Sequence, residues 1–127
     1  MPQNPSRSVA EPPERIVAGT TVVTPRGELD LRTAPVLSRR LDALTARAVP
    51  DLVLDLRAVT FIDCSGLGVL CRARNRVLAR GGRLRLITDR PSFLRVLHHV
   101  RLTGVFELFP RLPAELDAAA PTVRASR

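Results

Sequence analysis

The segment FIDCSGLGVL at 61–70 gathers most of the chemistry this chain can offer: a carboxylate at Asp63, a thiol at Cys64, a hydroxyl at Ser65 and glycines at 66 and 68. If a strand turns into a helix here, backbone N–H groups and the positive end of the helix dipole point at Ser65. A phosphate carried on its hydroxyl would then be stabilised rather than repelled. Ser65 is thus the candidate phosphorylation site. Gly66 would leave the hydroxyl accessible and Gly68 would let the helix pack closely, and both lower helix propensity, so something other than helix stability selects them. The plainer alternative makes Ser65, or Asp63, a helix N-cap. A helix N-terminus could also make Cys64 a reactive thiol, although a small buried residue is the expectation for it.

Other chemistries fare worse. A nucleophilic enzyme built on Cys64 or Ser65 would need a histidine base. The only histidines are His98 and His99, set among Val96, Leu97 and Val100 on a separate short segment. No glycine-rich phosphate loop and no metal-ligand spacing is present, so no cofactor is expected. The 127 residues carry 20 basic side chains, all Arg, against 12 acidic ones, a net charge of +8. Arg72, Arg76 and Arg80 recur at i, i+4 and i+8, a stripe that could meet phosphates or an acidic partner. A solvated helix face is the commoner outcome. Trp and Tyr are absent and Phe occurs four times, which leaves little for stacking single-stranded bases.

Around this motif the chain has the length of one domain. RIVAGTTVVTPRGEL at 15–29 reads as a hairpin split at Ala18-Gly19, its second strand ended by Pro25. Leu37, Leu41, Leu44 and Ala48 space an amphipathic helix from 33 to 48, capped by Asp30 or Thr33. DLVLDLR at 51–57 alternates as a third strand, a helix follows from Ser65 to Arg80 with a C-cap signal at Gly81-Gly82, and RLRLIT at 83–88 is a fourth strand. A short helix at 92–100 capped by Ser92, an edge strand at 105–109 and a last helix at 113–120 complete the domain. Disordered tails are expected at 1–14 and 121–127. The order predicts an α/β fold with a mixed, mostly parallel sheet and an antiparallel N-terminal strand. Charge on alternate positions of strands three and four places the helices mainly on one face. The first fourteen residues are proline-rich without an apolar run, unlike a signal peptide. Cys64 and Cys71 would be roughly 10 Å apart along one helix, too far to pair, so a cytoplasmic protein with reduced thiols is expected.

GELD at 27–30, DLRAVTFIDCSGLGVL at 55–70 and LTGVFELF at 102–109 come in a familiar order and spacing. From about Arg15 to Ala119 the chain resembles the STAS domains of bacterial anti-sigma factor antagonists. The resemblance implies a binding switch, not an enzyme. Its partner would be an anti-sigma factor that is also a serine kinase; a serine phosphatase would reverse the modification. In such proteins the unphosphorylated form holds the kinase and frees the sigma factor, and phosphorylation of the serine matching Ser65 ends this. The aspartate matching Asp30 helps meet the kinase, and Asp63, Cys64, Gly66, Leu67 and Gly68 fall in the motif taken as the partner-binding segment. Cys64 departs from the small hydroxyl or apolar residue common there. STAS domains also serve as stressosome scaffolds and lipid-transport subunits, so the partner stays open, and a basic nucleic-acid-binding protein is the rival of another class. No membrane association is expected.

Overall fold

The computed structural model describes residues 9–117. β1 (Glu14–Val17) and β2 (Thr20–Val23) form the expected antiparallel hairpin. Its two-residue turn has φ of 52° at Ala18 and 86° at Gly19, the left-handed pair that matches the twist of a hairpin and that favours glycine. The strand after Pro25 is a separate element. β3 (Gly27–Leu29) leaves the hairpin and pairs in parallel with β5 (Val59–Ile62), an element absent from the sequence expectation. Three- and four-residue strands are too short to display a period.

The main sheet has the order β1-β2-β4-β6-β7, in which β4 is Asp51–Asp55, β6 Arg83–Ile87 and β7 Glu107–Phe109. All its pairings except β1·β2 are parallel. Leu52 and Leu54 of β4 and Leu84 and Leu86 of β6 share one core with the helices α1 (Ala34–Thr45), α2 (Cys64–Ala79) and α3 (Pro91–His99). Each fully buried leucine of α1, such as Leu41 or Leu44, contributes about 1.5–3 kcal/mol by leaving water. The alternate residues Val22, Val53 and Ile87 face the other way, where Leu116 covers them. The helices therefore do lie on one face. The charge that marks that second face is not solvated: Asp55 and Arg85 are buried there.

Several boundaries differ from expectation, α1 ending at Thr45 and β7 beginning at Glu107 among them. Arg90, with no side-chain cap bond, precedes α3 in place of Ser92, because Pro91 occupies the first turn. The helix expected at 113–120 is a 3₁₀ turn at Ala114–Leu116; residues 118–120, positions 1–8 of the tail expected at 1–14 and the whole of 121–127 lie outside the described residues, while Glu14, at the end of that expected tail, already belongs to β1. α2 starts at Cys64, and Gly81 in the left-handed region (φ 69°) ends it while the Gly82 N–H returns to the Val77 carbonyl at 2.9 Å, the anticipated glycine C-cap. Among the described residues no helix is long and apolar enough to cross a membrane.

Candidate functional site

The small β3·β5 sheet decides the geometry of the site. Its parallel pairing ends both strands side by side, at Leu29 and Ile62. The turn after β3 carries Asp30 and the turn after β5 carries Asp63, Cys64 and Ser65. The Asp63 N–H donates to the Leu29 carbonyl at 3.1 Å, which ties the two turns together. Asp30 and Ser65 thus do not follow strands of the main sheet. They emerge instead from this accessory pair.

Each turn is locked from within. The Asp30 carboxylate accepts the N–H groups of Arg32 at 3.0 Å and Thr33 at 3.1 Å. The Thr33 hydroxyl accepts the Asp30 N–H at 3.0 Å and donates to the Glu28 carbonyl at 2.7 Å. The Thr33 N–H, with lesser help from that of Arg32, holds the Asp30 carboxyl below its ordinary pKa. Asp30 thus shapes an Asx turn ahead of α1; it does not cap the helix, whose N-cap is Thr33, without a side-chain cap bond. In the other turn Asp63 is the N-cap: one carboxylate oxygen accepts the N–H groups of Ser65 at 2.8 Å and Gly66 at 3.2 Å. Ser65 is therefore the second helical residue and not the cap. The donors that sequence reasoning offered to a phosphate are occupied by the chain's own carboxylate. A phosphate on Ser65 would find those two N–H groups taken and the Asp63 carboxylate close by.

The glycine roles are reversed. A Cβ on Gly66 would come within 2.6 Å of the Leu29 carbonyl oxygen and 2.7 Å of Ile62 Cγ1, whereas one on Gly68 would meet nothing within 4 Å. Gly66 is what lets α2 approach β3, and Gly68 faces open space. Burial divides the motif in the same way. Gly66 and Leu67 are buried, Leu67 in the main core, while Cys64 and Gly68 are exposed and Ser65 and Asp63 half-exposed. Cys64 is thus not the buried residue expected of it, because the first residue of α2 projects away from the sheet. Leu31, beside Asp30 and 78% exposed, is an apolar surface residue that the sequence reading passed over; the burial period begins only at Ala34.

The arginine stripe joins helices. Arg72 makes a bidentate pair with Asp42 of α1 at 2.9 and 3.0 Å. Arg76 donates to the Thr45 hydroxyl at 2.8 Å and to the Asp42 carbonyl at 3.0 Å. Only Arg80 of the three lacks such a bond to α1 among the described residues, and it is exposed. Cys64 and Cys71 are both free thiols. His98 and His99 are exposed near the far end of α3, their rings 6.4 Å apart, and neither makes a hydrogen bond to Cys64 or Ser65 among the described residues.

A profile of the STAS domain family matches residues 11–117. An anti-sigma F factor antagonist of Paenibacillus polymyxa is 30% identical over 101 residues, which cover 79% of this chain and 84% of that protein. The anti-sigma-F factor antagonist RsfB of Mycobacterium tuberculosis is 32% identical over 102 residues, covering 74% and 76%. An anti-sigma factor antagonist from Mycobacterium paratuberculosis, 31% identical, has a solved structure that matches with a TM-score of 0.73 over 83% of this chain and 89% of its own. The unphosphorylated form of the anti-sigma factor antagonist SpoIIAA shares the fold, with a TM-score of 0.65 at 18% identity over 79% of this chain and 88% of its own.

Proposed function

Because the chain belongs to the STAS domain family, we propose that it is an anti-sigma factor antagonist switched by phosphorylation of Ser65. Unphosphorylated, it binds an anti-sigma factor that is a serine kinase and so releases a sigma factor to transcription. Phosphorylated, it lets the kinase go, and a serine phosphatase restores it. The observation that carries this reading is the placement of Ser65. Its hydroxyl has no hydrogen-bond partner among the described residues, its backbone is fixed by Asp63, and its turn is bonded to the one that bears Asp30. A kinase can reach such a hydroxyl without unfolding the domain. A phosphate of about −1.5 to −2 charge there adds a strongly hydrated anion to the surface that the partner must cover and desolvate.

The test is a calorimetric titration against the cognate anti-sigma kinase. Ser65→Ala, which leaves the surface neutral, should bind like the parent and accept no phosphate. Ser65→Asp should bind orders of magnitude more weakly, because a carboxylate at the centre of an interface is desolvated and opposed by like charge. With kinase and ATP, tandem mass spectrometry should place one phosphate on Ser65. Equal affinity of the two variants, or a phosphate on another residue, overturns the proposal.

A further inference from the structure

β5 has a strand on one side only: among the described residues it pairs with β3 and nothing else. Beside its other edge runs a groove of about 160 Å³ between β5 and α3, whose apolar lining is Leu56, Val59, Phe61, Ile62, Phe93 and Val96. That volume is close to the roughly 150 Å³ of an engineered apolar cavity that accepts benzene, so the groove holds one aromatic ring. Phe61 is 53% exposed at this edge. The same groove is lined by Arg90, whose Nε is shut away from solvent with no acceptor among the described residues. Among the described residues no carboxylate pairs with Arg90, so its guanidinium brings an unpaired positive charge to the groove. The groove is also continuous with the switch turn: Ile62 lines it, immediately precedes Asp63 and crowds the Cβ position of Gly66.

We propose that this groove receives an extended segment of the partner protein, which adds beside β5, inserts an aromatic side chain and sets a carboxylate on Arg90. Strand addition would satisfy the open edge, the ring would fill the apolar volume, and the carboxylate would pair with the Arg90 guanidinium. The proposal rests on the partner-binding reading above and names a second contact region for that partner, next to Ser65.

The probe is an acetylated, amidated hexapeptide, Thr-Val-Phe-Val-Asp-Thr, titrated into the ¹⁵N-labelled full chain. Amide shifts should cluster at Thr60, Phe61, Ile62, Phe93 and Val96. Replacing the peptide's aspartate by asparagine, or Arg90→Gln in the protein, should weaken binding about tenfold. Val96→Phe, which puts a ring of the chain's own in the groove, should abolish it; if that variant does not fold, the asparagine peptide and Arg90→Gln still decide. Absence of shifts, shifts elsewhere, or undiminished affinity with both the asparagine peptide and Arg90→Gln overturns the proposal. Phenylacetate alone shifting the same amides as tightly would make this a small-molecule site and overturn it too. No kinase is present in these titrations, so they are readable even where the Ser65 experiment fails. Against the anti-sigma kinase, Arg90→Gln should also bind about tenfold more weakly. An unchanged affinity, with Ser65→Ala and Ser65→Asp ranked as above, sinks the groove and leaves the switch standing.

Discussion

Gly66 and Gly68 stand two positions apart along α2 and have opposite consequences. Gly66→Ala forces a methyl against the Leu29 carbonyl and Ile62, distances of 2.6 and 2.7 Å that a real Cβ does not adopt. It should cost about 1–3 kcal/mol through displacement of backbone. Gly68→Ala finds open space and should stabilise by about 0.5–1 kcal/mol, the gain in helix propensity. Urea denaturation of both variants checks the pair, and a destabilised Gly68→Ala would contradict the packing described. At Asp63 the cap and the charge can be separated. Asp63→Ala should lose about 1 kcal/mol because the Ser65 and Gly66 N–H groups lose their acceptor, while Asp63→Asn keeps an amide oxygen in place and should lose much less.

At the level of elements, α1 and α2 are joined by polar contacts as well as by leucines. Arg76 reaches the Thr45 hydroxyl, which is itself buried and donates to the Leu41 carbonyl at 2.7 Å. Arg76→Ala should therefore cost about 1 kcal/mol, the net value of a partly buried hydrogen-bond pair. Arg72 engages Asp42 at the surface, its side chain 54% exposed, where ion pairs contribute little. Arg72→Ala should lower the denaturation midpoint only slightly. A larger loss from Arg72→Ala than from Arg76→Ala would reverse this ranking. Because Arg72 and Arg76 are engaged within the domain, the stripe that suggested nucleic acid offers phosphates only Arg80 without breaking an existing bond.

Across the whole molecule, acid should be destabilising. Hydrogen bonds from Arg40 hold Glu14 below its ordinary pKa, those from Arg72 do so for Asp42 and those from Arg83 for Glu107. At Asp55 burial alone would raise the pKa, and the Arg57 side-chain and backbone hydrogen bonds outweigh it. A carboxyl whose folded pKa is depressed binds its proton less tightly when folded. Its contribution is complete above the unfolded value, near 4, and is lost as pH falls through that value toward the folded one. Urea midpoints should be flat from about pH 7 to about pH 5 and then fall steadily. Arg57→Ala should lower stability at neutral pH by about 1–3 kcal/mol, since it strands the buried Asp55 carboxylate. It should also flatten the acid limb, because Asp55 no longer has a depressed pKa to lose. A parallel, undiminished acid limb in Arg57→Ala would show that the remaining carboxylates carry it.

The hairpin, α1, β4, α2 and β6 were legible in the sequence because each is written in a local signal: Ala18-Gly19 at a turn, leucines at helical spacing in α1, alternation in DLVLD and RLRLI, Gly81-Gly82 at a helix end. The strand-to-helix junction that carries Ser65 was legible too, marked by a carboxylate before a small hydroxyl and a glycine after it. What the sequence could not state is what arrives from elsewhere in the chain. β3 and β5 have too few residues to show a period, and each is a strand only because the other lies alongside it, some thirty residues away. That pairing sets Asp30 beside the Ser65 turn, makes Gly66 the indispensable glycine in place of Gly68, and gives β5 its one strand neighbour among the described residues. Likewise Arg72 and Arg76 look like a solvated stripe until α1 brings Asp42 and Thr45 against them. Local patterning fixes which face of an element avoids water; only the tertiary structure fixes which partner meets that face, because that choice depends on contacts distant in the chain.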